Sequence, residues 1–374
     1  MAQSISGSRS GSGKRLAFLD WTRGFAALIM LQGHVFHSFT SKDLRNDGPY
    51  ILSQFCGGLT PAVFLFLTGV TLSFLMDSSA KKGLDSWQRT WAAMRRAGFL
   101  FLVAVLFRLQ MFVFAAGQSP WTDLFRVDIL NCMGLGIVVL SPLAIFETRD
   151  RVRFAAISGV VIAAASPVIA SLNLAFIHPF VRAWFVPDAN FFALFPWAAF
   201  IAFGLSAGSV LRLVEDTEMH RVMQWAALMG FGLLFGAQYF SNLPYSIYSN
   251  VDFWINSPAL ILMKVGIILL LSCFAFLWTR HMNPNGWSFV RQLGGTSLLV
   301  YWVHTELVYG RWFGVWKESL GVPQVLAMVA LIVSLMVGLS VARTGWKGRP
   351  GVGVVLRQQW NAFRTMPANQ PAGD

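Results

Sequence analysis

Apolar residues run through the chain in blocks of about twenty, parted by short clusters of charged, Gly, Pro and Ser residues. A hydrocarbon core of about 30 Å takes about 20 residues of helix. Ten blocks qualify: 16–39, 59–77, 93–116, 127–146, 154–177, 191–213, 222–243, 257–278, 294–316 and 323–342. The pattern predicts an all-α polytopic membrane bundle of about ten transmembrane helices, with residues 16–342 as one domain. The stretch 93–146 is the least clean, because Arg108, Arg126 and Asp128 interrupt it. The segment 40–60 reads as a polar and aromatic loop. No internal repeat is evident, which weighs mildly against a transporter built from repeated halves.

Composition agrees. Of 374 residues, 55% are hydrophobic and 12% charged, and mean hydropathy is +0.57, too apolar for a soluble domain of this size. The net charge of +12 would suggest nucleic acid for a soluble protein. Here its distribution gives another reason. Lys and Arg fall roughly three to one in alternate segments, among them Lys81, Lys82, Arg89, Arg95, Arg96 and Arg343. That bias, with an even number of crossings, predicts both termini cytoplasmic and no nucleic-acid partner. Residues 1–15 ("MAQSISGSRSGSGKR") read as a disordered basic tail, and 343–374 as a cytoplasmic C-terminal tail. The run after residue 15 lacks a small-residue cleavage site and reads as a retained first helix. Cys56, Cys132 and Cys273 form neither a disulfide framework nor a metal spacing and read as buried small hydrophobes.

The first helix departs from the apolar pattern. "LDWTRGFAALIMLQGHVFHSF" (19–39) carries Asp20, Arg23, His34 and His37, and ionisable groups inside a membrane are costly. At 100° per residue, Arg23 and His34 differ by about 20° around the helix and about 16 Å along it. His37 lies one turn further on the same side, and Asp20 is three residues before Arg23, in pairing range. Asp20, Arg23, Met30, His34 and His37 therefore form one stripe, which must face the bundle interior or a wet cavity.

That helix resembles the first-helix signature of integral-membrane acyltransferases: an Asp, Arg-Gly three residues later, then a His eleven after the Arg. The Arg-to-His spacing is that of the acyltransferase-three family. "TPAVFLFLTGVTLSF" (60–74), "FRVDILNCMGLG" (125–136), "FPWAAFIAFGLSAG" (195–208) and "LGGTSLLVYWVHTELVYG" (293–310) are closer to bacterial relatives of heparan-alpha-glucosaminide N-acetyltransferase. The resemblance implies a bacterial inner-membrane enzyme moving an acyl group, acetyl first, from cytoplasmic acyl-CoA to a sugar or glycan hydroxyl or amine outside. It implies no metal, with lipids, donor and acceptor as partners and a homodimer as an assembly option. One departure stands out. In the lysosomal enzyme the catalytic His lies beyond the first helix, and 40–60 here has none. His34 is therefore the candidate general base or transient acyl carrier, with His37 orienting it or holding the acceptor. Arg23 would hold donor phosphate or carbonyl oxygens, beside Asp20.

Arg108 and Lys264 lie inside helices with no acid within four residues. Either contacts a donor phosphate or pairs across helices with Asp20, Asp128 or Glu306. In "YWVHTELVYG" (301–310), Tyr301, His304 and Thr305 share a sector while Glu306 points elsewhere. His304 is a second candidate base or a hydrogen-bond partner for the first helix, and Tyr301 and Glu306 are candidate substrate contacts. The rival function is a proton-coupled transporter of a small anionic or sugar solute, for which intramembrane Arg, Lys and His are equally expected.

Overall fold

A computed structural model describes residues 16–115, 119–282 and 287–347; the expected N-terminal tail and most of the C-terminal one lie outside them. The helices are α1 (Ala17–Phe39), α2 (Gly48–Gly57), α3 (Thr60–Lys81), α4 (Ser86–Phe114), α5 (Ile129–Leu140), α6 (Thr148–Ser171) and the single turn α7 (Pro179–Arg182). They continue with α8 (Leu194–Leu213), α9 (Met219–Ser241), α10 (Pro258–Leu277), α11 (Phe289–Gly295), α12 (Ser297–Tyr309) and α13 (Val322–Lys347). Among the described residues there is no strand, only one bridge between Thr40 and Leu320. Among the described residues, seven helical stretches are long and apolar enough to cross a membrane. The polar stripe keeps α1 out of that group, and α12, at 13 residues, rises only about 20 Å.

Each expected block contains a helix, but several bounds move for local reasons. The segment 40–60 is not all loop: α2 forms there, with Pro in its first turn. Cys56 on it is exposed, unlike Cys132 and Cys273. Helix α4 starts seven residues before the expected block because Asp85 and Gln88 form a capping box, Gln88 N donating to Asp85 Oδ1 at 2.7 Å. Block 127–146 is α5 followed by a 3-10 turn, Ser141–Ile145, entered at Pro142. Helix α6 begins at Thr148, so Arg151 belongs to a helix rather than a loop. Its side chain is buried, with Nε donating to Ser209 Oγ (3.2 Å) and Nη2 to Thr148 Oγ1 (3.1 Å). Beside it Arg212 pairs with Asp77 at 2.6 Å, tying α8 to α3. Block 294–316 breaks into α11 and α12 at Thr296, and α13 runs on to Lys347.

Close backbone approach sets the packing. Helices α3 and α8 touch through glycine: a Cβ on Gly69 would sit 2.0 Å from Ile201 O, and one on Gly204 1.9 Å from Phe66 O. Helices α1 and α11 do the same, since a Cβ on Gly294 would lie 1.9 Å from Asp20 O. The main core joins α3, α4, α5, α8 and α10 to the first half of α1. A second core packs Leu31, Val35, Phe36 and Phe39 of α1 against Val300 and Val308 of α12 and Val325 and Ile332 of α13. The stripe of α1 is thus held between two apolar bodies. Below, the face of the bundle at which α1 begins is called proximal, and the face at which it ends distal.

Candidate active site

The stripe faces open space inside the bundle. A proximal cavity of about 1200 Å³ is lined by Arg23, Met30 and His34 of α1, by Thr60 to Leu75 on one face of α3, and by Arg96, Gly294, Tyr301, Trp302 and Arg343. A distal cavity of about 1020 Å³ is lined by His34, His37, Arg108, Asp128, Tyr301, Thr305, Glu306, Tyr309, Arg311 and Lys317, among others. His34, Tyr301 and Phe192 line both. They stand at the junction.

At that junction His34 Nδ1 lies 2.9 Å from His304 Nε2, and His304 Nδ1 lies 2.7 Å from Val300 O. The ring planes differ by 17° with centroids 5.2 Å apart. That separation matches one N–H···N bond plus two ring radii, so the rings meet edge to edge in one plane and do not stack face to face. The tautomers follow. A carbonyl only accepts, so His304 Nδ1 carries the hydrogen and donates to Val300 O. Neutral His304 then offers a bare Nε2, to which His34 Nδ1–H donates. Neutral His34 is left with its lone pair on Nε2, which this pair does not occupy. Tyr309 meets the His34 ring edge-on at 5.3 Å and limits its rotation.

Other predicted residues fall into place around this pair. Arg23 Nη1 donates to Asp20 Oδ1 at 3.4 Å, so the expected pair forms; Arg23 lines the proximal cavity and Asp20 lines neither. Arg108 Nε donates to Asp128 Oδ2 at 3.2 Å, which settles its partner as the cross-helix acid. Asp128 also caps α5, accepting from Leu130 N and Asn131 N at 3.1 Å. Lys264 is not with them. Its Nζ donates to Gly58 O at 3.0 Å and lies 5.5 Å from the Trp197 ring centroid, and it lines neither cavity. His37 Nδ1 meets Tyr50 Oη of α2 at 3.3 Å.

A strap closes the distal end of α1. Glu318 binds Lys42 (3.1 Å) and Arg45 (3.0 Å), and Arg45 Nη2 also donates to His37 O. The Lys42 hydrogen bond and the Arg45 charge hold the Glu318 carboxyl below its ordinary pKa, while burial lowers that of Lys317. Sequence reading missed Arg96 and Arg343, which come to the proximal cavity from segments some 250 residues apart, and Gln110, which accepts from Trp302 Nε1 and donates to Glu306 Oε2 at 3.5 Å. Arg96 and Arg343 sat in the basic clusters used for orientation, and no local signal separated them from their neighbours.

Comparison with known families decides what this bundle is. Residues 15–240 match the model of the heparan-alpha-glucosaminide N-acetyltransferase catalytic region, well over half of the chain. The chain belongs to that family. No curated protein matches it. As a member of the heparan-alpha-glucosaminide N-acetyltransferase family it is a transferase, and its apolar helices make it a multi-pass membrane protein. The matched region carries Arg23, His34, His37, Arg108 and Asp128. Tyr301, His304 and Glu306 come from beyond it, so α12 completes the junction from outside the matched segment. Among the described residues no group of His, Cys, Asp and Glu is arranged to hold a metal.

Proposed function

We propose that the protein moves an acetyl group from acetyl-CoA in the proximal cavity to an amine or hydroxyl of a sugar or glycan in the distal cavity, with His34 between them. The observation that carries this reading is that His34 lines both cavities and points a lone pair away from its His304 bond. The guanidiniums of Arg23, Arg96 and Arg343 suit the phosphates of CoA. The acetyl thioester then reaches along α3 to the junction. The acceptor nitrogen or oxygen attacks the thioester carbonyl carbon as His34 Nε2 takes its proton. Tyr301, at the same junction, donates its phenol O–H to the developing oxyanion. The tetrahedral centre collapses, the C–S bond breaks, and the departing sulfur takes the proton back from His34. His34 acting as a transient acyl carrier would use the same nitrogen. Transfer to an amine is favoured by the N-acetyltransferase family name.

For a bundle of ten crossings, the bias of Lys and Arg supports an orientation with both termini cytoplasmic. The donor then enters from the cytoplasm and the acceptor from outside. The test is thiol release by purified protein given acetyl-CoA and a panel of amino sugars and glycans. Acceptor-dependent release lost in folded His34→Ala, with a raised acetyl-CoA KM in Arg23→Ala, supports the scheme. Release unaffected in His34→Ala removes it. Solute uptake into vesicles without any thiol release would favour a transporter instead.

A further inference from the structure

The segment 310–321 joins α12 to α13 at the distal face, and its Gly310, Arg311, Gly314 and Lys317 line the distal cavity. Its far end is pinned to α1. Glu318 N donates to Ser38 O at 3.1 Å, Leu320 N to Phe39 O at 3.0 Å, and Ser41 N to Leu320 O at 3.0 Å. The Glu318 carboxylate adds its ion pairs with Lys42 and Arg45. Residues 311–317, between Gly310 and that post, are held far less. Among the described residues, their one hydrogen bond to anything outside the segment runs from Arg311 Nη2 to Ala115 O, 2.8 Å away at the end of α4. Ala115 lines the same cavity from another wall. The cation there meets the negative end of a helix. Lys317 Nζ donates to Gly310 O, inside the segment. Apolar packing is equally thin. Trp312, Val315 and Trp316 are exposed, Val315 by 91%, while Phe313 packs on the second core and meets the Phe39 ring edge-on at 6.4 Å. Few buried apolar contacts and exposed hydrogen bonds mark a stretch of low local stability.

The backbone points the same way. Phe313 has a φ of 59° and Glu318 a φ of 54°, the two non-glycine residues in the left-handed region among those described. For a side chain as large as Phe that conformation is an outlier, which persists only while its surroundings impose it. Here they are the Phe39 contact and the stack on Trp316, with centroids 5.7 Å and planes 16° apart. Lifting Phe313 off Phe39 lets its backbone relax, so strain offsets part of what the contact holds shut. We propose that residues 311–317 are a gate on the distal cavity, latched by Arg311 on Ala115 O and turning between Gly310 and the Glu318 post. Latched, Arg311, Gly314 and Lys317 form part of the cavity wall. Unlatched, they withdraw and widen the entrance for a small polar solute. The gate does not depend on whether that solute is the acceptor of the proposed transfer.

The test alkylates a probe thiol in full-length protein in detergent. Thr305 lines the distal cavity and is 8% exposed. Thr305→Cys therefore reports entry of N-ethylmaleimide, read by mass, once the exposed Cys56 is removed by Cys56→Ser. Met111→Cys, from α4 on the same cavity, is the second probe where the first does not fold. The rate of modification should level off as the reagent rises, because opening becomes the slow step. Arg311→Gln, which loses the charged hydrogen bond, should raise that plateau about fivefold or more. Cys132, buried in the main core, should stay unmodified over the same time, which separates opening of the gate from unfolding. Three results overturn the proposal: a rate that climbs in proportion to reagent up to that of a free surface thiol, a rate that Arg311→Gln leaves unchanged, or Cys132 modified in step with the probe. The readout uses neither donor nor acceptor, so the gate and the transfer reading fail separately.

Discussion

Replacing His304 by Leu tests the tautomer chain directly. The side chain is wholly buried, and Leu fills its space without a polar atom. The exchange removes the acceptor that His34 Nδ1–H meets at 2.9 Å. A neutral hydrogen bond contributes about 0.5–1.5 kcal/mol, so the preference for a bare Nε2 on His34 falls up to about tenfold. Freed from that anchor, the ring keeps its edge-on contact with Tyr309 but loses its hydrogen bond, and lost orientation adds to the effect. The expected loss in kcat is about 10- to 100-fold, with the acetyl-CoA KM within about twofold. Removing the proposed base itself, in His34→Ala, should cost about 10²–10⁴. His304→Gln separates chemistry from packing, because its amide oxygen reaches the place of Nε2 and accepts from His34. It should recover most of the lost rate. The assay is acceptor-dependent thiol release at saturating acetyl-CoA, on variants shown to be folded by thermal unfolding. A Leu variant within about twofold of wild type, or a Gln variant as slow as the Leu variant, refutes the chain of donors.

Two further predictions concern the frame around the site. Gly294→Ala places a Cβ 1.9 Å from Asp20 O, so α1 and α11 must part; it should destabilise by about 1–3 kcal/mol or more and raise the acetyl-CoA KM. Gly98→Ala, with open space around it, should be neutral or stabilising by about 0.5–1 kcal/mol, and thermal unfolding in detergent compares the two. Arg108→Leu strands Asp128, 5% exposed, and should cost about 3–5 kcal/mol. Arg108→Leu with Asp128→Asn should regain most of that, since Asn still caps α5; equal losses in the single and double variants would show that the pair is not coupled.

How much of this the sequence carried depends on the range of the interactions. The stripe on α1 was legible because helical geometry alone puts Arg23, His34 and His37 on one side, and both cavities now line that side. The Asp20–Arg23 pair was legible for the same reason. The Arg108–Asp128 pair was one of several open choices, since nothing local distinguishes Asp128 from Asp20 or Glu306 as a partner. The start of α4 was readable from Asp85 and Gln88, but hydropathy counting passes over polar caps. The break at Thr296 was not readable, because it serves a contact between Gly294 and the backbone of Asp20, some 270 residues earlier. The same separation hides the His34–His304 bond. Each histidine is visible alone; only the fold makes one the orienter of the other.

The division of the site between distant segments bears on how a reactive thioester is kept from water. In the proposed reaction, donor and acceptor approach from opposite faces, and among the described residues the two cavities share His34, Tyr301 and Phe192. A base reachable from both sides needs no movement to serve both reactants. The same narrowness limits the water that can stand in line between them, and the acceptor then competes for the acetyl group by position. Two cores, one joining the first half of α1 to α3, α4, α5, α8 and α10 and the other gripping its second half with α12 and α13, hold that junction. A shift of α12 alone would move His304, Tyr301 and Glu306 together while His34 stays with α1. The catalytic geometry is therefore most exposed to changes at the α1–α12 contact, where the Ser38 hydroxyl donates to Val308 O at 2.7 Å and fixes the two helices against each other one turn beyond the histidines.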